Sequence, residues 1–83
     1  MTKQQLHQFT EGTTREVPMP DGTTRMVTMS ADMWEEAHFI KVMDGITLLD
    51  VSGYALEEME LQGLDWDAAF QCIVAYFTNR WTP

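Results

Sequence analysis

Trp66-Asp67-Ala68-Ala69-Phe70-Gln71-Cys72-Ile73-Val74-Ala75-Tyr76-Phe77 is the stretch whose reading decides the fold. Only Asp67 and Gln71 in it are polar, so a helix built from it presents apolar side chains on nearly every side and has to be covered on nearly every side. Asp65 is placed to cap such a helix, which runs from Trp66 to about Asn79. In a chain of 83 residues, two shorter helices and a hairpin offer little to cover it with. The expectation is that a second copy of the chain supplies the cover, with Trp66 and Trp81 sealing the junction.

Working back from Asp65, Gly63 closes an earlier helix. Thr47 opens that helix, with Asp50 three residues on in the position of a capping box. Leu48, Val51, Ala55 and Met59 form its apolar face, and Glu57, Glu58 and Glu60 are left for water or for a basic partner. Gly53 costs roughly 1 kcal/mol relative to alanine inside a helix and so marks a close backbone approach. A helix before it starts after Ser30, an N-cap, with Asp32 in its first turn. It runs from Ala31 to about Asp44, buries Met33, Ala37, Ile40 and Met43 or Asp44 with Trp34 beside them, and stops at Gly45.

Upstream, Asp21-Gly22 separates two β-prone runs, Thr14 to Pro20 and Thr23 to Met29. This is a strong hairpin signal, in its usual form a type I′ turn with positive φ at both residues. Pro18 and Pro20 cannot donate to a ladder, which confines the first run to a short edge strand. In the second run, alternation sends Val27 and Met29 one way and Met26 and Thr28 the other. Residues 1–14 are rich in Thr and Gln with only Leu6 and Phe9 as large apolar residues; they read as a flexible arm before a single domain at 15–83.

Charge divides the chain unevenly. The formal net charge is −8, residues 1–31 sum to zero, and residues 32–83 carry ten acids against Lys41 and Arg80. A dimer doubles the −8 to −16 and repels polyanions at long range. No apolar run reaches membrane-spanning length and the first residues lack a signal-peptide core, so the expected compartment is the cytoplasm. The single Cys72 has no basic neighbour in sequence and reads as an inert buried thiol. Glu35 and His38 make no metal site, since two ligands are too few. No glycine-rich phosphate loop, no nucleophile with a base and no cofactor motif is present; the expectation is a binding protein that is not an enzyme, with no cofactor and no metal.

The stretch Val27-Thr28-Met29-Ser30-Ala31-Asp32-Met33-Trp34-Glu35-Glu36-Ala37, followed by Ile40 and Gly45-Ile46-Thr47-Leu48, resembles the strand, first helix and glycine turn of the ribbon-helix-helix family. Ala69 to Phe77 is similar to the further helix that one bacterial branch of that family carries. The resemblance covers roughly residues 24–78. It implies a mainly α fold with a short β ribbon or hairpin, arranged as an intertwined homodimer with a third helix. It also implies DNA binding, with Thr24, Met26 and Thr28 on the groove side of the ribbon and the amides near Thr47 and Leu48 holding phosphate. Val27, Met29, Trp34, Trp66, Phe70, Ile73 and Phe77 are then the dimer interface.

Two functional expectations follow. One is a dimeric transcriptional regulator that binds DNA through its ribbon. The other is an acidic adaptor or inhibitor that keeps the fold and binds a basic protein instead. The second arises because the groove side offers no Arg, Lys, Asn or Gln to read base edges. Asp50 also puts a negative charge beside the phosphate position, and a hairpin through Asp21-Gly22 would widen the paired ribbon beyond what the major groove admits.

Overall fold

The computed structural model describes residues 13–79, which form β1 (Thr13–Pro18), β2 (Thr24–Met29), α1 (Ala31–Asp44), α2 (Leu48–Gln62) and α3 (Trp66–Asn79). The fold is mainly helical with one short β ribbon. Thr13 and Thr14, assigned to the arm from composition, belong to β1; the rest of the arm and Trp81 lie outside the described residues. Among the described residues no helix is long and apolar enough to cross a membrane.

Local capping sets the helix boundaries. The Ser30 hydroxyl accepts from the Met33 amide at 3.2 Å, and the Thr47–Asp50 box is complete in both directions. Asp65 Oδ1 accepts from the Ala68 amide at 2.9 Å. Gly45 ends α1 at φ 71°, a left-handed conformation in which its amide returns to the Ile40 and Lys41 carbonyls.

β1 and β2 pair antiparallel with Arg15 opposite Val27 and Val17 opposite Arg25. The hairpin forms within the chain, but its turn is not type I′. Among the described residues none other than glycine has positive φ, and Gly22 alone in the loop does, at 89°. Pro20, Asp21 and Gly22 make a three-residue loop closed by Met19 N–H to Thr23 O at 2.8 Å, with Gly22 N–H to Met19 O at 3.0 Å. The fixed φ of Pro20 suits the first corner of an ordinary turn, and the glycine then absorbs the left-handed step.

At the centre lies α3, packed on α1, α2 and β2, while β1 lies over α2. Val17, Val27, Ile40, Val51, Ala55, Ala69, Phe70 and Val74 are essentially sealed from solvent. The stripe on α1 is Trp34, Ala37 and Ile40; Met33 is half-buried and Met43 is exposed, so the stripe sits about one residue round from the expected one. On α2, Val51 and Ala55 are buried as their spacing indicates, and Ser52 joins them. Its hydroxyl has no hydrogen-bond partner among the described residues.

Candidate functional site

Alternation along the hairpin gives its two faces different chemistry. Arg15, Val17, Arg25, Val27 and Met29 share the face turned toward the helices. The two arginines sit at its margins, with the Arg15 guanidinium 5.2 Å from the Trp34 ring centre and that of Arg25 4.8 Å from the Trp66 ring centre. Both stacks are cation–π contacts that hold the charge against the protein's own surface. Sequence reading missed them, although Arg25 shares its parity with Val27 and Met29.

Thr24, Met26 and Thr28 lie on the opposite face, as expected, and Met26 is 53% exposed. Thr14 and Glu16 of β1 lie beside them, and the hydroxyls are engaged within the sheet. Thr14 and Thr28 share a hydrogen bond at 2.8 Å, and the Thr24 hydroxyl donates to Glu16 Oε1 at 2.7 Å. This face therefore offers a phosphate backbone one carboxylate and no cation. At the start of α2, the Thr47 amide and hydroxyl both donate to Asp50 Oδ2 at 3.0 Å, so a carboxylate occupies the position a phosphate would take. Leu48 follows it half-buried against the core.

The outer edge of β2 is the place where a ribbon would pair with another copy. Backbone groups of alternate residues face away from β1, and in β2 these belong to Thr24, Met26 and Thr28. All three of those that α3 reaches are occupied. Trp66 Nε1 donates to Met26 O at 3.1 Å, Gln71 Nε2 donates to Thr28 O at 3.3 Å, and Asp67 Oδ1 accepts from Thr28 N at 3.1 Å. The two polar exceptions in the α3 sequence are thus edge caps for a strand.

The residues expected at the interface pack within the single chain. Val27, Met29, Trp34, Phe70, Ile73 and Phe77 are all buried inside the single chain, and Trp66 packs half-buried against the same cluster. The hairpin lies over helices that were expected to need a partner copy. Trp34 and Trp66 flank Phe70 at 6.3 and 5.6 Å between ring centres, and Trp34 Nε1 donates to Thr13 O at 2.7 Å.

One stripe of α3 stays uncovered, and Cys72 and Tyr76, four residues apart, define it. Cys72 is exposed, contrary to the buried thiol read from sequence, because the neighbouring helices leave this side open. Facing it across a groove of about 540 Å³ are Tyr54, Glu58 and Gln62 of α2, with Ile73 and Phe77 at the base. Tyr76 is 63% exposed, Tyr54 48% and Leu61, seven residues beyond Tyr54, 78%. A second hollow lined by Pro20, Leu49, Asp50, Gly53 and Glu57 shares Tyr54 with the first. Together they make a continuous face of tyrosine and leucine bordered by Asp50, Glu57 and Glu58. Glu60, grouped with the latter two in sequence, lines neither hollow. The usable sequence signal was the i, i+4, i+7 spacing of Tyr54, Glu58 and Leu61 beside the buried stripe.

No family of known proteins, no curated protein and no solved structure matches the chain.

Proposed function

We propose that this protein is an acidic protein-binding module of the cytoplasm, an adaptor or inhibitor, that docks a basic segment with an apolar face onto α2 and α3. The observation that carries this reading is the exposed Leu49–Tyr54–Tyr76 surface with Asp50, Glu57 and Glu58 along its borders. Aromatic side chains that are already partly ordered by packing give contact area at low entropic cost, and Tyr54 and Tyr76 both pack against Phe77, tilted at 5.6 Å and edge-on at 5.1 Å between ring centres. The carboxylates steer a cationic partner and reject acidic ones. An exposed thiol on the same face suits a reducing compartment.

DNA binding through the ribbon is the competing reading, drawn from the family resemblance. It is disfavoured because the outer sheet face spends its hydroxyls on itself and carries Glu16, while Arg15 and Arg25 stack on tryptophans on the other side. Fluorescence anisotropy separates the two. The full chain is titrated against a labelled Lys/Leu amphipathic peptide, against the same peptide with Ser in place of Leu, and against a mixed-sequence duplex, each at low and moderate salt. The proposal expects saturable binding of the first peptide alone, weakened by salt and by Glu57→Gln with Glu58→Gln. Duplex binding with a steep salt dependence, or equal binding of the two peptides, would overturn it.

A further inference from the structure

Among the described residues the basic side chains are Arg15, Arg25, His38 and Lys41, against twelve carboxylates. Three of those four line a single pocket of about 370 Å³ between β1, α1 and the start of α2. The helix geometry produces the grouping. Trp34, His38 and Lys41 follow one another at i, i+4 and i+7, so they share one face of α1. Arg15 reaches the same place from the inner face of β1, its guanidinium resting over Trp34. Glu16 is the only carboxylate in the pocket wall, and its Oε1 already accepts the Thr24 hydroxyl at 2.7 Å. Asp50, just beyond the wall at Thr47, is engaged by the Thr47 amide and hydroxyl.

We propose that this pocket binds a carboxylate carried on a small apolar body. Two fixed cations in the wall of one pocket repel one another, and an anion placed between them turns that repulsion into attraction. Arginine and lysine both form charge-assisted hydrogen bonds to a carboxylate. Apart from Thr47, the rest of the wall, Pro18, Trp34, Ala37, Leu48 and Leu49, is apolar, which calls for a hydrocarbon portion next to the charge. The volume lies near the small end of the range for small-molecule pockets, about 300–1,000 Å³, and a docked helix does not fit. A single negative charge is favoured over a phosphate chain or nucleic acid, because Glu16 and the −8 of the chain oppose polyanions. The same chemistry occurs in a free organic acid and in the carboxyl end of a peptide.

This pocket adjoins the docking face proposed above at Leu49, which lines both it and the hollow beside Asp50 and Glu57, but none of its basic residues belongs to that face, so the two proposals are tested separately. The test is an amide-correlation NMR titration of the full chain with hydrocinnamate, with its uncharged amide, and with N-acetyl-alanyl-leucine bearing a free or an amidated carboxyl end. Saturable shifts confined to Arg15, His38, Lys41, Leu48 and the Trp34 indole N–H are expected with a carboxylate and not with its neutral counterpart. Hydrocinnamate binding more tightly than the dipeptide identifies a free acid as the source, and the reverse order a peptide end. Lys41 is exposed, so Lys41→Gln leaves the fold intact and weakens binding by about tenfold, while Lys41→Arg restores it. Equal shifts with the neutral amides, no localised shifts with either acid, or an unchanged affinity in Lys41→Gln would each overturn the proposal.

Discussion

The edge of β2 and the open stripe of α3 are both margins where one element of this small fold runs out of neighbours, yet they end differently. At the strand edge, Trp66, Asp67 and Gln71 supply a partner for each backbone group that they reach. On the far side of the same helix, Cys72 and Tyr76 meet Tyr54 and Glu58 across a gap that no other element among the described residues covers. Unpaired backbone is costly and invites indiscriminate strand pairing, so it is closed within the chain. Exposed tyrosine is tolerable in water and is a good contact for a partner. What is left open is thus the part of the surface that can wait for a partner, and what is closed is the part that cannot.

The sharpest way to break this contrast is to open the closed edge. Asp67→Ala removes the acceptor for the Thr28 amide, and a donor left without a partner in a half-buried position costs about 1–3 kcal/mol. Urea unfolding is expected to show that loss, and light scattering at micromolar concentration to show stronger concentration-dependent association than that of the unmodified chain. A dimer of the unmodified chain under those conditions would mean that the edge is not what keeps copies apart.

Substitution on the open side should separate binding from stability. Tyr76→Ser loses the edge contact with Phe77 and is expected to cost no more than about 1 kcal/mol in urea, while abolishing capture of the Lys/Leu peptide. Equal damage to both properties would make Tyr76 a core residue and remove the contrast. Beside the same face, a Cβ at Gly53 would meet only Pro20 Cγ, at 3.9 Å, an ordinary contact. The close approach read from the sequence does not demand glycine there, and Gly53→Ala is expected to raise stability by about 0.5–1 kcal/mol. A loss in urea unfolding would show that Pro20 packs more tightly on α2 than this distance indicates.

What was legible in the sequence was what is decided within a few residues. Ser30, Thr47 and Asp65 cap their helices through bonds spanning three positions, and strand parity put Val27 and Met29 on one side and Met26 on the other. The edge caps join residues 39 to 43 positions apart. No local rule places Asp67 opposite Thr28, so both polar residues of α3 read only as interruptions of an apolar run. The same limit explains the interface expectation. Composition shows that α3 needs cover, but whether the hairpin or another copy provides it depends on where β1 falls, and Pro20 with Gly22 sets that through a loop one residue longer than the type I′ form. The candidate site was half visible, since Glu57 and Glu58 were singled out without Tyr54, whose partner Tyr76 lies on another helix.

That loop also supplies the smallest effect. The Thr23 hydroxyl and amide both donate to Asp21 Oδ1 and hold its carboxyl below the usual aspartate value, with Arg25 adding a weaker pull. Because the folded form prefers the ionised carboxylate, its contribution is fully present above the unfolded pKa and is lost as pH falls through the lower, folded one. The group is fully exposed, so the contribution is slight. Asp21→Asn removes one side of this linkage. The variant is expected to unfold at slightly lower urea concentration at neutral pH, and the gap to the unmodified protein should close as the solution is acidified past the ordinary carboxylate range. A gap that widens on acidification would mean that Asp21 is worth more protonated than ionised, and that the Thr23 bonds do not fix the hairpin loop.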